Sequence, residues 1–138
     1  MVFRPFIHEN QKKIKILIPE CYTGLIESGN VIPIPEVQLD KKKLPTTSLN
    51  KKIFKDSYYA VCDLNRMFNP TAVYVAIKSN AEMKIGFKTK HSDHFYNLQI
   101  SVKNKDDIES GYLNIRNLLE IDIKKSVELK DKITQQID

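Results

Sequence analysis

Apolar positions fall in short β-branched runs separated by stretches of helical spacing. Lys13 to Ile18 reads Lys-Ile-Lys-Ile-Leu-Ile and stops at Pro19, which predicts a first strand entering a core after a polar leader. Glu20 to Ser28 then offers Leu25 and Ile26 on a short helical stretch closed by Gly29-Asn30. Val31 to Pro35 is β-branched again, but Pro33 and Pro35 remove ladder donors, so it reads as an edge strand or an extended crossing at the rim. Lys41 to Lys43 make a solvated turn, and Thr46 to Lys55 has the spacing of a helix that buries Leu49 and Ile53 or Phe54.

The middle of the chain carries the strongest pattern. Ser57 to Leu64 is a nearly continuous apolar run, as in a central strand covered on both faces, with Asp63 at its carboxyl end. Asn69 suits an N-cap and Pro70 the first position of a helix reaching Ser79-Asn80, whose inward face is Val73, Tyr74, Ala76 and Ile77. Met83 to Phe87 is the next strand, so the segment predicts a right-handed βαβ unit. After a polar loop from Lys88 to His94, Phe95 to Val102 alternates with period two. Asp106-Asp107 head a helix with Ile108, Tyr112, Ile115 and Leu119 on one face.

Alternating strands and helices predict a single Rossmann-like α/β domain of three layers, a mostly parallel sheet of about five strands with helices on both faces. It spans residues 1–120. Residues 121–138 form a charged tail without Gly or Pro, in which Ile123, Val127, Ile133 and Ile137 hold helical spacing. The tail reads either as a solvated end or as a helix that needs a protein partner or a second copy.

Composition narrows the functional classes. A chain of 138 residues, 41% apolar and 28% charged, suits one domain with its own core. The balance is basic, 22 cations against 17 acids, with a pI near 9.1. Only Arg4, Arg66 and Arg116 are arginines, however, and bidentate reading of phosphates and bases is mainly arginine work, so nucleic acid is not the expected partner. No apolar run approaches the ~20 residues of a membrane span, and Met1 to Pro5 lacks the layout of a secretion signal. Cys21 and Cys62 sit in or beside apolar runs without a CxxC neighbour, which favours buried free thiols in a reducing compartment. A soluble cytoplasmic protein is expected. Gly24, Gly29, Gly86 and Gly111 make no phosphate-binding motif, and no cofactor is expected.

Few residues stand out as chemistry. His91-Ser92-Asp93-His94 offers two imidazoles and a carboxylate, but a loop fixes no ligand geometry, and the reading is solvated histidines without a metal. Asp63 has the better position, because open α/β sheets bind ligands outside the carboxyl ends of their strands. Asn65, Arg66 and Asn69 follow it as candidate substrate-binding companions. The competing reading makes Asp63 the cap of a turn. Tyr58, Tyr59, Phe95 and Tyr96 read as core rather than as a base-stacking surface.

Tyr58-Tyr59-Ala60-Val61-Cys62-Asp63-Leu64, a helix, and then Ala81-Glu82-Met83-Lys84-Ile85-Gly86-Phe87 resemble a pattern of the heptosyltransferase-type glycosyltransferases, family 9. The resemblance implies the amino-terminal Rossmann-like domain of a GT-B enzyme, without the second domain that holds the nucleotide sugar. That family has a Gly-Asp pair after the first strand, its acid placed as catalytic base. Here Pro19-Glu20-Cys21-Tyr22 stand instead, and Glu20 is the nearest carboxylate. The resemblance thus implies a degenerate, non-catalytic domain working through protein contacts, made by the tail or by the Pro33 to Pro35 edge. The alternative is the acceptor-binding half of a split glycosyltransferase, with Glu20, Asp63 and Arg66 around the sugar. A basic module for nucleic acid or another anionic polymer is the third reading.

Overall fold

The computed structural model describes residues 3–10, 13–26, 30–102 and 108–121. The leader holds a short helix, α1 (Arg4–Glu9). Two strands follow, β1 (Lys15–Pro19) and β2 (Asn30–Ile34), joined through a 3-10 segment at Glu20–Leu25. They pair in parallel from Lys15 with Asn30 to Pro19 with Ile34. Pro33 is accommodated because, among the described residues, β2 has β1 as its only ladder neighbour.

The helix α2 (Thr47–Ile53) comes next, then β3 (Ala60–Cys62), α3 (Pro70–Lys78), β4 (Met83–Phe87) and β5 (Leu98–Ile100). A further helix, α4, runs over 108–121. Strands β3, β4 and β5 form a parallel sheet in that order. The described residues thus form a mixed α/β fold with two parallel sheets, of two and three strands. No helix among the described residues is long and apolar enough to cross a membrane.

Local chemistry accounts for much of this. Asn69 caps α3, its Oδ1 accepting from Ala72 N at 3.0 Å, and Pro70 takes the first helical position, where its missing N–H costs nothing. Asp40 organises the lysine turn: its Oδ1 accepts from the N–H groups of Lys42 at 2.8 Å and Leu44 at 3.0 Å, while Lys43 takes a left-handed φ of 64°. Leu49 and Ile53, one helical turn apart, are both fully buried, so α2 presents the face its spacing predicts.

The described residues form three core groups, the first two sharing Val61. Leu49, Ile53 and Val75 gather Leu17, Ile32 and Ile34 from the two-stranded sheet and Val61 from the three-stranded one. Val73, Ala76 and Tyr96 form the second part, with Val61 and Phe95. Ile85, Phe87 and Ile115 form the third, packed by Cys62, Leu98, Ile100, Tyr112 and Leu119. Adjacent residues of a strand face opposite ways, and Val61 accordingly meets α3 while Cys62 meets the group around α4.

Several expectations need correction. The apolar run at 57–64 yields only the three-residue β3, at one end of its ladder, and β4 is the strand with a neighbour on each side. Val61 packs with residues of α2 and α3 and of β1 and β2, and Cys62 with the group around Ile85 and Ile115, so both side chains have cover and the run reads as central. In α3 it is Val75 that is buried, while Ile77 is exposed, because the helix is wedged between two parts of the core and its covered arc is rotated accordingly. Leu25 is likewise exposed, and Cys21 lies on the surface: a 3-10 segment lacks the helical register that would turn them inward. The polar leader contains α1, tied to the core by Phe3, whose ring meets Tyr112 edge-on at 6.0 Å. The Asp106-Asp107 helix start and the 122–138 tail lie outside the described residues.

Candidate functional site

The sheet ladder extends one step past β3. Asp63 N donates to Ile85 O at 2.8 Å, so the side chain of Asp63 emerges at the carboxyl end of the strand. It is buried, and both carboxylate oxygens are occupied. Oδ1 accepts from Asn65 N at 2.9 Å and from Asn65 Nδ2 at 2.6 Å, the Asx-turn geometry of a short polar side chain folding back on its own backbone. Oδ2 accepts from the hydroxyl of Tyr96 in a short hydrogen bond. The arrangement fastens the segment after β3 to the loop between β4 and β5.

That second loop is pinned as well. The Ser92 hydroxyl is buried, accepts from Thr89 N at 2.8 Å and lies within hydrogen-bond reach of Gln99 Oε1, while Gln99 Nε2 donates to Asp93 Oδ1 at 2.6 Å. Ser92 and Asp93 therefore serve the loop, and His91 and His94 are left on the surface with ring centroids 6.3 Å apart. Among the described residues no three histidine, cysteine or acidic side chains converge as a metal-binding group.

Between the Asx turn and the cap of α3, residues 64–69 border an open cleft of about 740 Å³, which Tyr112 of α4 also lines. Sequence reasoning placed Asn65, Arg66 and Asn69 together near a ligand, and all three line this cleft. Asn65 and Asn69 hold their backbones in shape through the bonds already described. Arg66 projects into solvent and carries the only formal charge among the cleft residues. Glu20 is exposed at the start of the 3-10 segment after β1 and does not line the cleft, and Asp63 is absent from its wall.

Pattern reading missed the apolar part. Met67 is 82% exposed and Phe68 64%, with Leu64 at 40%, a concentration of bare apolar surface within one short segment. Phe68 continues into a row of rings, 6.2 Å from Phe95, itself 6.2 Å from His94. A usable signal existed: Met67-Phe68 stands between a strand and an N-cap, with no periodicity to bury it. Tyr112 gave no such signal. Its place on the helix face was legible, but its hydroxyl donates to Leu64 O at 3.2 Å across 48 residues of sequence.

Burial pushes the Tyr96 hydroxyl well above its ordinary value of 10.0, and the hydrogen bond to Asp63 adds to the shift. Burial, with the negative charge of Asp63 second, pushes the Cys62 thiol from 9.0 up to about 12. Both groups keep their protons in the folded state at a pH where the unfolded chain releases them. Their contribution is complete below pH 9, declines first through Cys62 between 9.0 and about 12, and is joined by Tyr96 above 10.0. Each group then lowers stability by up to about 1.4 kcal/mol per pH unit. Urea midpoints should fall steadily from pH 9 upward, and fall less steeply in Tyr96→Phe; equal slopes for both proteins would contradict this account.

No protein-family model, no curated protein and no solved structure matches the chain.

Proposed function

We propose that this chain is a non-catalytic α/β recognition domain, glycosyltransferase-like in ancestry, that acts through a protein contact made by the 64–69 segment. Its two sheets are read as neighbouring parts of one open, three-layer Rossmann-like sheet, since Val61, Leu17 and Ile32 share a single core group. The observation that carries the functional reading is the bare surface of Met67 and Phe68 around Arg66. Methionine, aromatic and arginine side chains are enriched where proteins meet, and here they sit on a segment held at each end, by Asp63 and by the α3 cap. Holding the segment in advance lowers the ordering cost of association. The two carboxylates weighed for catalysis support the same reading, since Asp63 is occupied by Tyr96 and Asn65 while Glu20 stands outside the cleft.

The acceptor-binding reading draws on the same cleft, where Asn65, Arg66 and Asn69 stand near Phe68 and Tyr112. It requires both a donor domain and a proton acceptor from another chain. The basic-module reading rests on the net charge of +5 alone. A photo-cross-linking amino acid at position 67, introduced in the native host, separates a contact face from ordinary surface. Position 67 should give a discrete protein adduct, and position 37, where Val37 is 89% exposed away from the cleft, should not. Identical patterns from the two positions would end the recognition reading.

A further inference from the structure

The only charge on the cleft wall is positive, it is Arg66, and no acidic partner engages it among the described residues. The cleft is also lined by the apolar side chains of Met67 and Phe68 and by the amides of Asn65 and Asn69. We propose that the 64–69 cleft takes an acidic, apolar peptide segment of the partner protein, a carboxylate pairing with Arg66 and an adjacent aliphatic or aromatic side chain lying on Met67 and Phe68. This rests on the recognition reading above and specifies the partner's chemistry.

Charge complementarity selects that occupant. A guanidinium binds a carboxylate through two parallel N–H donors, and its weak hydration makes it the cation most suited to an interface. A nucleic-acid strand would call for a row of cations along its phosphates, whereas this wall offers one. A basic partner would leave Arg66 facing like charge. The overall charge of +5 favours encounter with an acidic segment in the same sense. The loop needs little rearrangement, since Asp63, Asn69 and the Tyr112 hydroxyl hold it from three directions.

Selection of a random phage-displayed peptide library on the immobilised full chain tests the proposal while the partner itself is still unidentified. Enriched peptides should carry Asp or Glu beside Leu, Ile or Phe. One of them, synthesised, should shift the backbone amide signals of 64–69 in ¹⁵N NMR spectra, and its Asn or Gln counterpart should bind about tenfold more weakly. Arg66→Gln should abolish the preference for the acid, and Phe68→Ser should weaken both peptides equally. These side chains are exposed, and unchanged amide dispersion verifies the fold of each variant. Failure to enrich any peptide, enrichment of neutral or basic peptides, or equal binding of the acidic peptide to Arg66→Gln would overturn the proposal. If the adduct at position 67 still forms in those cases, only the partner's chemistry is wrong; enriched peptides that leave the 64–69 signals unmoved, together with no such adduct, would remove the recognition reading too.

Discussion

Gly86→Ala should destabilise the protein by about 3 kcal/mol, a large effect for one added methyl group. A Cβ at this position would lie 2.5 Å from Cδ2, 2.6 Å from Cε2 and 2.8 Å from Cγ of Tyr96, so the ring lies flat on the glycine. Tyr96 has no easy way to yield. It is buried against Val73 and Ala76 on one side, and its hydroxyl is bound to Asp63 on the other. Moving the ring enough to admit the methyl therefore disrupts core packing and strips a hydrogen-bond donor from a buried carboxylate. The cost should couple strongly to the ring: in a Tyr96→Ala background, Gly86→Ala should cost less than half as much, because the space it needs has been vacated. Additive losses in chemical denaturation would show that the strain lies elsewhere. The pairing of these residues also gives a physical reason for the Ile85-Gly86-Phe87 sequence: the outer two side chains fill the α4 side of β4, and the glycine admits an aromatic ring on the other.

Leu49→Ala should cost about 3 kcal/mol and should do so throughout the molecule. Leu49 is fully buried and joins side chains from β1, β2, α2, β3 and α3, so the cavity left by truncation opens where the two sheets share their core. If the fold is one cooperative unit, the accessibility of Cys62, which packs in the separate group around Ile85 and Ile115, should rise at the same urea concentration at which far-ultraviolet circular dichroism is lost. Wild type should show the same coincidence at a higher midpoint. Cys62 that stays protected after most of the dichroism has gone would mean that the three-stranded sheet folds by itself, and the single-sheet reading would lose its support.

These outcomes bear on the proposed recognition surface because the same bonds that stabilise the fold position the loop. Tyr96 and Asp63 close the base of the 64–69 segment, so variants that free the Tyr96 ring should also loosen Met67 and Phe68. A loosened loop would weaken peptide binding even with Arg66 intact, through the cost of ordering it again.

Much of the fold was legible in the sequence wherever the signal is local. The Asn69-Pro70 helix start, the Leu49 and Ile53 face, the β-branched runs and the lysine turn at Lys41 to Lys43 each depend on residues within a few positions of one another. Capping, side-chain period and turn chemistry operate at that range. The polar half of the candidate site was legible for the same reason, since position after a parallel strand draws notice to Asp63, Asn65, Arg66 and Asn69 together.

What tertiary structure alone decided is how those residues divide their work. Asp63 meets Tyr96 across 33 residues and Leu64 meets Tyr112 across 48, and no periodic pattern encodes either pairing. The first contact fastens Asp63 to the loop between β4 and β5. The second ties Tyr112 to the start of the 64–69 segment, and Met67 and Phe68 are left uncovered while Phe87 and Tyr96 are enclosed. Local sequence sets which residues are able to be buried; which of them find cover depends on chain segments brought together only when the whole core closes, and that closure leaves this loop exposed around a single cation.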